Sequence, residues 1–124
     1  MKINPDSNAP IYRQLADWIE EGIIAGSFPE HGKVYSQYQL AELYAINPAT
    51  AAKGLNLLAD EDILYKKRGL GMFVAEGAKE LIMKKRRSGT MLEMIRETVH
   101  EARILGIGDE ELITMIKEEM EGLK

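Results

Sequence analysis

Ser36-Gln37-Tyr38-Gln39-Leu40-Ala41-Glu42-Leu43-Tyr44, a two-residue break, and Asn47-Pro48-Ala49-Thr50-Ala51-Ala52-Lys53-Gly54-Leu55-Asn56-Leu57-Leu58 form the stretch on which the fold turns. Ser36 followed three places later by Gln39 has the spacing of a capping box, and Leu40 and Leu43 behind it read as buried positions of a short helix ending near Tyr44. Asn47 can cap a second helix whose first turn accepts Pro48, because proline lacks only an amide that has no helical partner there. Ala51, Leu55 and Leu58 mark its buried face. Ala49, Thr50, Lys53 and Asn56 point elsewhere, and apart from Lys53 they are small or polar, so another surface can approach them closely.

Upstream, Ile11, Leu15, Ile19 and Ile23 recur every four residues with Trp18 on the same side, which predicts a helix that Pro10 opens at its first position. Gly26-Ser27-Phe28-Pro29 and Gly32 break it into a loop. Downstream, Ile63-Leu64-Tyr65-Lys66-Lys67-Arg68 and Met72-Phe73-Val74-Ala75 flank Gly69-Leu70-Gly71, the pattern of a β-hairpin with a glycine-bearing tip. Three helices and a hairpin in this order make a winged helix-turn-helix. Such a unit suits duplex DNA, since one helix fills the major groove while the hairpin reaches the neighbouring backbone or minor groove.

From Gly77 the pattern is helical again. Leu92, Ile95, Val99 and Ala102 share a face widened by Met91 and Met94, then Gly106-Ile107-Gly108 interrupts. Asp109 is placed to cap a last helix with Ile113, Ile116, Met120 and Leu123 on one side. The expected architecture is mainly α: residues 1–76 a winged helix-turn-helix of three helices plus hairpin wing, and residues 77–124 a small two-helix domain. Two short amphipathic helices make a poor core, so their stripes call for a two-fold related copy, which predicts a homodimer on a roughly palindromic operator.

Composition narrows the chemistry. There is no cysteine, and histidine occurs only at 31 and 100, in segments without ligand spacing, which leaves no thiolate nucleophile or site and argues against a histidine metal cluster. No window offers the roughly 18 to 20 apolar residues of a spanning helix, and the start lacks a signal-peptide core, so a cytoplasmic protein is expected. The 20 carboxylates show no catalytic spacing, and no enzyme, cofactor or metal is expected. The net charge is −4, with seven basic and nine acidic residues in 1–75 and nine and eleven in 76–124. An anion-binding face must therefore be local, and net acidity is the mark of the competing reading, a winged-helix module that binds a protein instead of DNA.

The residues themselves resemble the GntR-type transcriptional regulators. Pro10-Ile11-Tyr12 with Gln14-Leu15, Gly26, Gly32, Ser36 with Leu40-Ala41, Asn47-Pro48-Ala49-Thr50, Leu55, Leu58 and Gly69-Leu70-Gly71-Met72-Phe73-Val74 match nearly end to end over residues 10–75. The Asn-Pro opening of the third helix and the tail of about fifty residues are similar to the YtrA-type subfamily. That resemblance implies a repressor, in this subfamily commonly of transporter genes, whose tail dimerises. Carried over by position, it implies DNA contacts from Ser36 and Tyr38, from Asn47, Ala49, Thr50 and Lys53 on the recognition helix, and from Arg68 and Gly69 on the wing. The chain departs from the family pattern at Tyr35, where proline is usual, at Tyr38, where arginine is frequent, and at Pro48 and Ala52, which replace polar or basic readers. Lys84-Lys85-Arg86-Arg87 is a secondary candidate for nonspecific attraction. No small-molecule effector can be named from the sequence.

Overall fold

Leu15, Ile19 and Ile23 are buried along one side of α1 (Ile11–Ala25), and the elements of the first half assemble against that stripe. A computed structural model describes residues 1–124, which divide into two units, Met1–Lys84 and Lys85–Lys124. In the first, α2 (Gln37–Tyr44) contributes Leu40, and α3 (Pro48–Asp60) contributes Ala51, Leu55 and Leu58. Val34, Ile63, Leu64 and Val74 complete the centre of this core. Wholly buried Glu20 lies in it too, and no buried side-chain polar atom lacks a partner.

Helices α1 and α3 come so close that a side chain would not fit between them. A Cβ built on Gly54 would stand 2.9 Å from the Tyr12 carbonyl oxygen and 3.1 Å from Leu15 Cδ2. Glycine is a costly choice inside a helix, and here the close approach of backbone requires it.

Strands β1 (Leu64–Lys67) and β2 (Gly71–Val74) pair antiparallel, Leu64 with Val74 and Lys67 with Gly71. Residues 31–34 lie along the other edge of β2. The His31 and Val34 amides donate to the Val74 and Met72 carbonyls at 2.8 and 3.0 Å, and Val74 donates to Gly32. The hairpin is thereby sewn to the loop between α1 and α2.

The first unit continues past the composition change at residue 77. Ala78 and Ile82 of α4 (Ala78–Arg86), spaced by one helical turn, are buried in the same core. The second unit holds a π-helical turn (Arg87–Met91), α5 (Leu92–Ile104) and α6 (Asp109–Gly122). Of its apolar side chains only small Ala102 is buried, while Leu92, Met94, Ile95, Val99, Ile113, Ile116, Met120 and Leu123 are exposed.

Four local expectations are corrected. Pro10 is the residue before α1, with extended backbone at ψ 156°, and Ile11, the first residue of the helix, is exposed. Leu43 is exposed although it stands on the same side of α2 as Leu40, the one residue of that helix that is buried. Asp109 is the first helical residue of α6, whose cap position is Gly108; its carboxylate pairs with Arg103 at 3.0 Å instead. There it still favours the helix, as do Glu110 and Glu111, because acids near an amino end meet the positive pole of the helix dipole.

Candidate nucleic-acid interface

Both helix starts of the central motif are built by side chains that fold back on the backbone. Ser36 Oγ accepts from the Gln39 amide at 3.1 Å, and Gln39 Oε1 accepts from the Ser36 amide at 2.8 Å, a complete capping box. Asn47 Oδ1 accepts from the Ala49 amide at 2.8 Å. These bonds fix where α2 and α3 begin. They also aim the remaining free amides of each first turn outward, where an anion such as a backbone phosphate is favoured.

The burial of α3 defines its outer face. Ala51, Gly54, Leu55 and Leu58 point inward, which turns Ala49, Ala52, Lys53 and Asn56 away from the core. Ala49 and Ala52 add little bulk, so a partner can meet this helix at close to backbone distance. Ser36, Gln37 and Tyr38 at the start of α2, Ala52 and Asn56 of α3, and Lys66 and Met72 of the hairpin line a single groove beside it. Tyr38 is 70% exposed and so is available to a partner rather than spent on packing.

The hairpin has two chemically different faces. Leu64 and Val74 are buried on one, and strand alternation puts Lys66 and Met72 on that same face where it runs out beyond the core. On the other, Tyr65 stacks on Phe73 with ring centroids 5.8 Å apart, and Lys67 Nζ stands 4.8 Å from the Phe73 centroid. His31 Nδ1 and Tyr65 Oη are hydrogen-bonded at 2.9 Å, so this histidine is engaged with the hairpin. Arg68 and Gly69 are exposed at the turn, with Gly69 at φ 77°.

The structure brings Ser36 and Tyr38 to the groove, with Asn47 and Ala49 at the exposed start of α3. Thr50 is half-buried. Lys53 is exposed but leans toward α1, its Nζ 4.1 Å from the Tyr12 ring centroid. Asn56 and Lys66, absent from the sequence-based set, line the groove. The signal for Asn56 lay in its outward helical phase. Lys66 was hidden because its strand face belongs to the core at the other end. Positive charge is local, as the net acidity required: Lys53, Lys66, Lys67 and Arg68 lie on α3 and the hairpin, whereas Arg13 is paired with Asp17 at 3.3 Å and Glu61 at 3.9 Å. The run at 84–87 straddles the two units, and Lys84, Lys85 and Arg86 each hold an interaction within the chain.

No family model matches the chain. The HTH-type transcriptional repressor YtrA of Bacillus subtilis is 30% identical to it over 119 residues, 95% of this chain and 90% of that protein. Among solved structures, a putative transcriptional regulator of the GntR family from Bacteroides thetaiotaomicron matches with a TM-score of 0.72 and 32% identity, covering 93% of this chain and all of that one. The AraR DNA-binding domain in complex with operator ORX1 matches with a TM-score of 0.55 and 26% identity over 60% of this chain and 93% of that one.

Proposed function

The chain belongs to the GntR family of transcriptional regulators, and on that premise we propose that it binds double-stranded DNA sequence-specifically, as a homodimer, and represses transcription. The observation that carries the reading is the outer face of α3, small or polar at Ala49, Ala52 and Asn56, lying beside a groove that Lys66 of the wing also lines. The helix enters the major groove. Ser36, Asn47 and the free amides behind them meet phosphates, which set register without reading sequence. Tyr38, Ala49, Thr50 and Asn56 lie against base edges, where an asparagine can bond adenine through both of its polar atoms. Lys53 and Lys66 contact phosphates, and Arg68 with Gly69 enters the neighbouring minor groove.

The second unit supplies the pairing. Its apolar stripes on α5 and α6 stand exposed side chain after side chain, and a two-fold copy is the covering partner closest at hand. Pairing sets two recognition helices about one DNA turn or a multiple apart, which requires a roughly palindromic operator. The protein acts in the cytoplasm without catalysis; no helix is long and apolar enough to cross a membrane. Net acidity favours the competing reading of a protein-binding winged helix. A fluorescence-polarisation titration of duplex DNA across salt concentrations separates the two. DNA binding through several phosphates weakens steeply as salt rises, and a duplex bound no better than a control polyanion would reject the proposal.

A further inference from the structure

The wing ends in Arg68-Gly69-Leu70-Gly71, and the apolar side chain at its tip stands in the open, 60% exposed. The turn itself has no need of leucine. It is closed by the Leu70 amide donating to the Lys67 carbonyl at 2.9 Å, a bond that any residue but proline makes. The chain is reversed by Gly69 and Gly71, at φ 77° and 110°. Turn tips are dominated by residues that solvate or preset the backbone, such as Asn, Asp, Ser, Gly and Pro. Here a leucine rides on a cationic hairpin, one glycine after Lys66, Lys67 and Arg68. Nothing lies within 4 Å of the place a Cβ on Gly69 would occupy, so bare backbone beside Leu70 leaves room for close approach.

We infer that Leu70 is a specificity-determining residue, seated on the floor of the DNA minor groove, where it selects A·T pairs under the wing by penalising the amino group of guanine. The inference rests on the DNA-binding reading above. In the minor groove, G·C differs from A·T by one donor, the guanine N2 amino group. A leucine pressed against that donor strips its water and offers no acceptor, leaving a buried donor unsatisfied. A·T pairs present only acceptors, which the guanidinium of Arg68 can serve, and the narrow groove of A-rich DNA draws a cation inward.

The full-length protein is used to select duplexes from a random-sequence pool. Pairs across the wing-protected minor groove of one selected duplex are then replaced singly by A·T, G·C, inosine·C or diaminopurine·T. Inosine·C keeps the major-groove pattern of G·C without the minor-groove amino group, and diaminopurine·T adds that group to an A·T pattern. At one or two positions the two amino-bearing pairs are expected to bind about tenfold more weakly than the two that lack it. In Leu70→Ser, with an unchanged melting curve, the four pairs are expected to bind alike. Grouping of inosine·C with G·C, equal binding of all four by the natural chain, or full discrimination by Leu70→Ser would each overturn the inference while leaving DNA binding intact. Failure to retain any duplex would reject the DNA-binding reading, and this inference with it.

Discussion

Helices α1 and α6 are nearly equal in length, 15 and 14 residues, and both carry an apolar stripe. In α1 the stripe disappears from solvent, with Leu15, Ile19 and Ile23 at 0, 1 and 5% exposure. In α6, Ile113, Ile116 and Met120 stand at 50, 42 and 57%. Residue type and spacing do not explain this difference. The first stripe meets α3, the hairpin and α4 within its own unit, and the second is left without a cover of comparable size. Periodicity identifies the side of a helix that leaves water, and the rest of the chain decides whether anything receives it.

Paired substitutions test that contrast most severely. Leu58→Ala, in the filled core, is expected to cost about 2 to 5 kcal/mol of folding stability at any protein concentration. Ile116→Asp on the open stripe should leave the melting of the first unit within the whole chain unchanged and abolish self-association, read by light scattering. Equal losses of folding stability from the two changes would break the contrast. The fragment Met1–Lys84, which keeps Ala78 and Ile82, is expected to stay folded as a monomer and to bind a palindromic duplex about a hundredfold more weakly than the full chain, because the second half-site no longer adds its binding. Undiminished affinity would sever the second unit from DNA recognition.

Smaller effects sharpen the picture within the first unit. Gly54→Ala should destabilise by about 1 to 3 kcal/mol, since the new methyl meets Tyr12 backbone that cannot swing aside. Thermal unfolding measures it, and a neutral or stabilising result would mean that α1 and α3 slide freely. Arg68→Ala should weaken operator binding by about 1 to 3 kcal/mol without touching stability. Lys53→Ala is expected to have the smallest effect. It lowers the salt slope of binding by about one, and its ring contact with Tyr12 accounts for about 0.5 to 1 kcal/mol of stability. A large loss of stability with unchanged DNA affinity would make Lys53 a packing residue alone.

What could be read in the sequence was whatever is decided locally. The caps at Ser36 and Asn47 rest on bonds spanning two or three residues, and both formed. The hairpin rests on two short runs and the glycines between them, and it formed. Pro10 and Asp109 were each misplaced by one position at their helix starts, and the other errors arose where a neighbour far along the chain decides the outcome. Leu43 has apolar character and shares a helical face with Leu40, yet the assembled core receives only Leu40. Ile82 stands between Leu81 and Met83, and only the assembled core shows which of the three is buried and that α4 belongs to the first unit. The groove residues Asn56 and Lys66 come from different elements, which no spacing along one helix or strand can bring together.

The pairing of residues 31–34 with β2 bears on how the protein survives at high concentration. A two-stranded ribbon has two open edges, each a template on which another chain can add a strand and begin to aggregate. Here the β2 edge is occupied by the chain's own loop, through the amides of His31 and Val34 and the bridge from Lys33 to Phe73. The remaining edge is β1, only four residues long and carrying Lys66 and Lys67, whose like charges repel a second copy of the same strand. The hairpin can thus project into solvent without recruiting its own kind, and the lysines that would face phosphate in a complex keep free molecules apart.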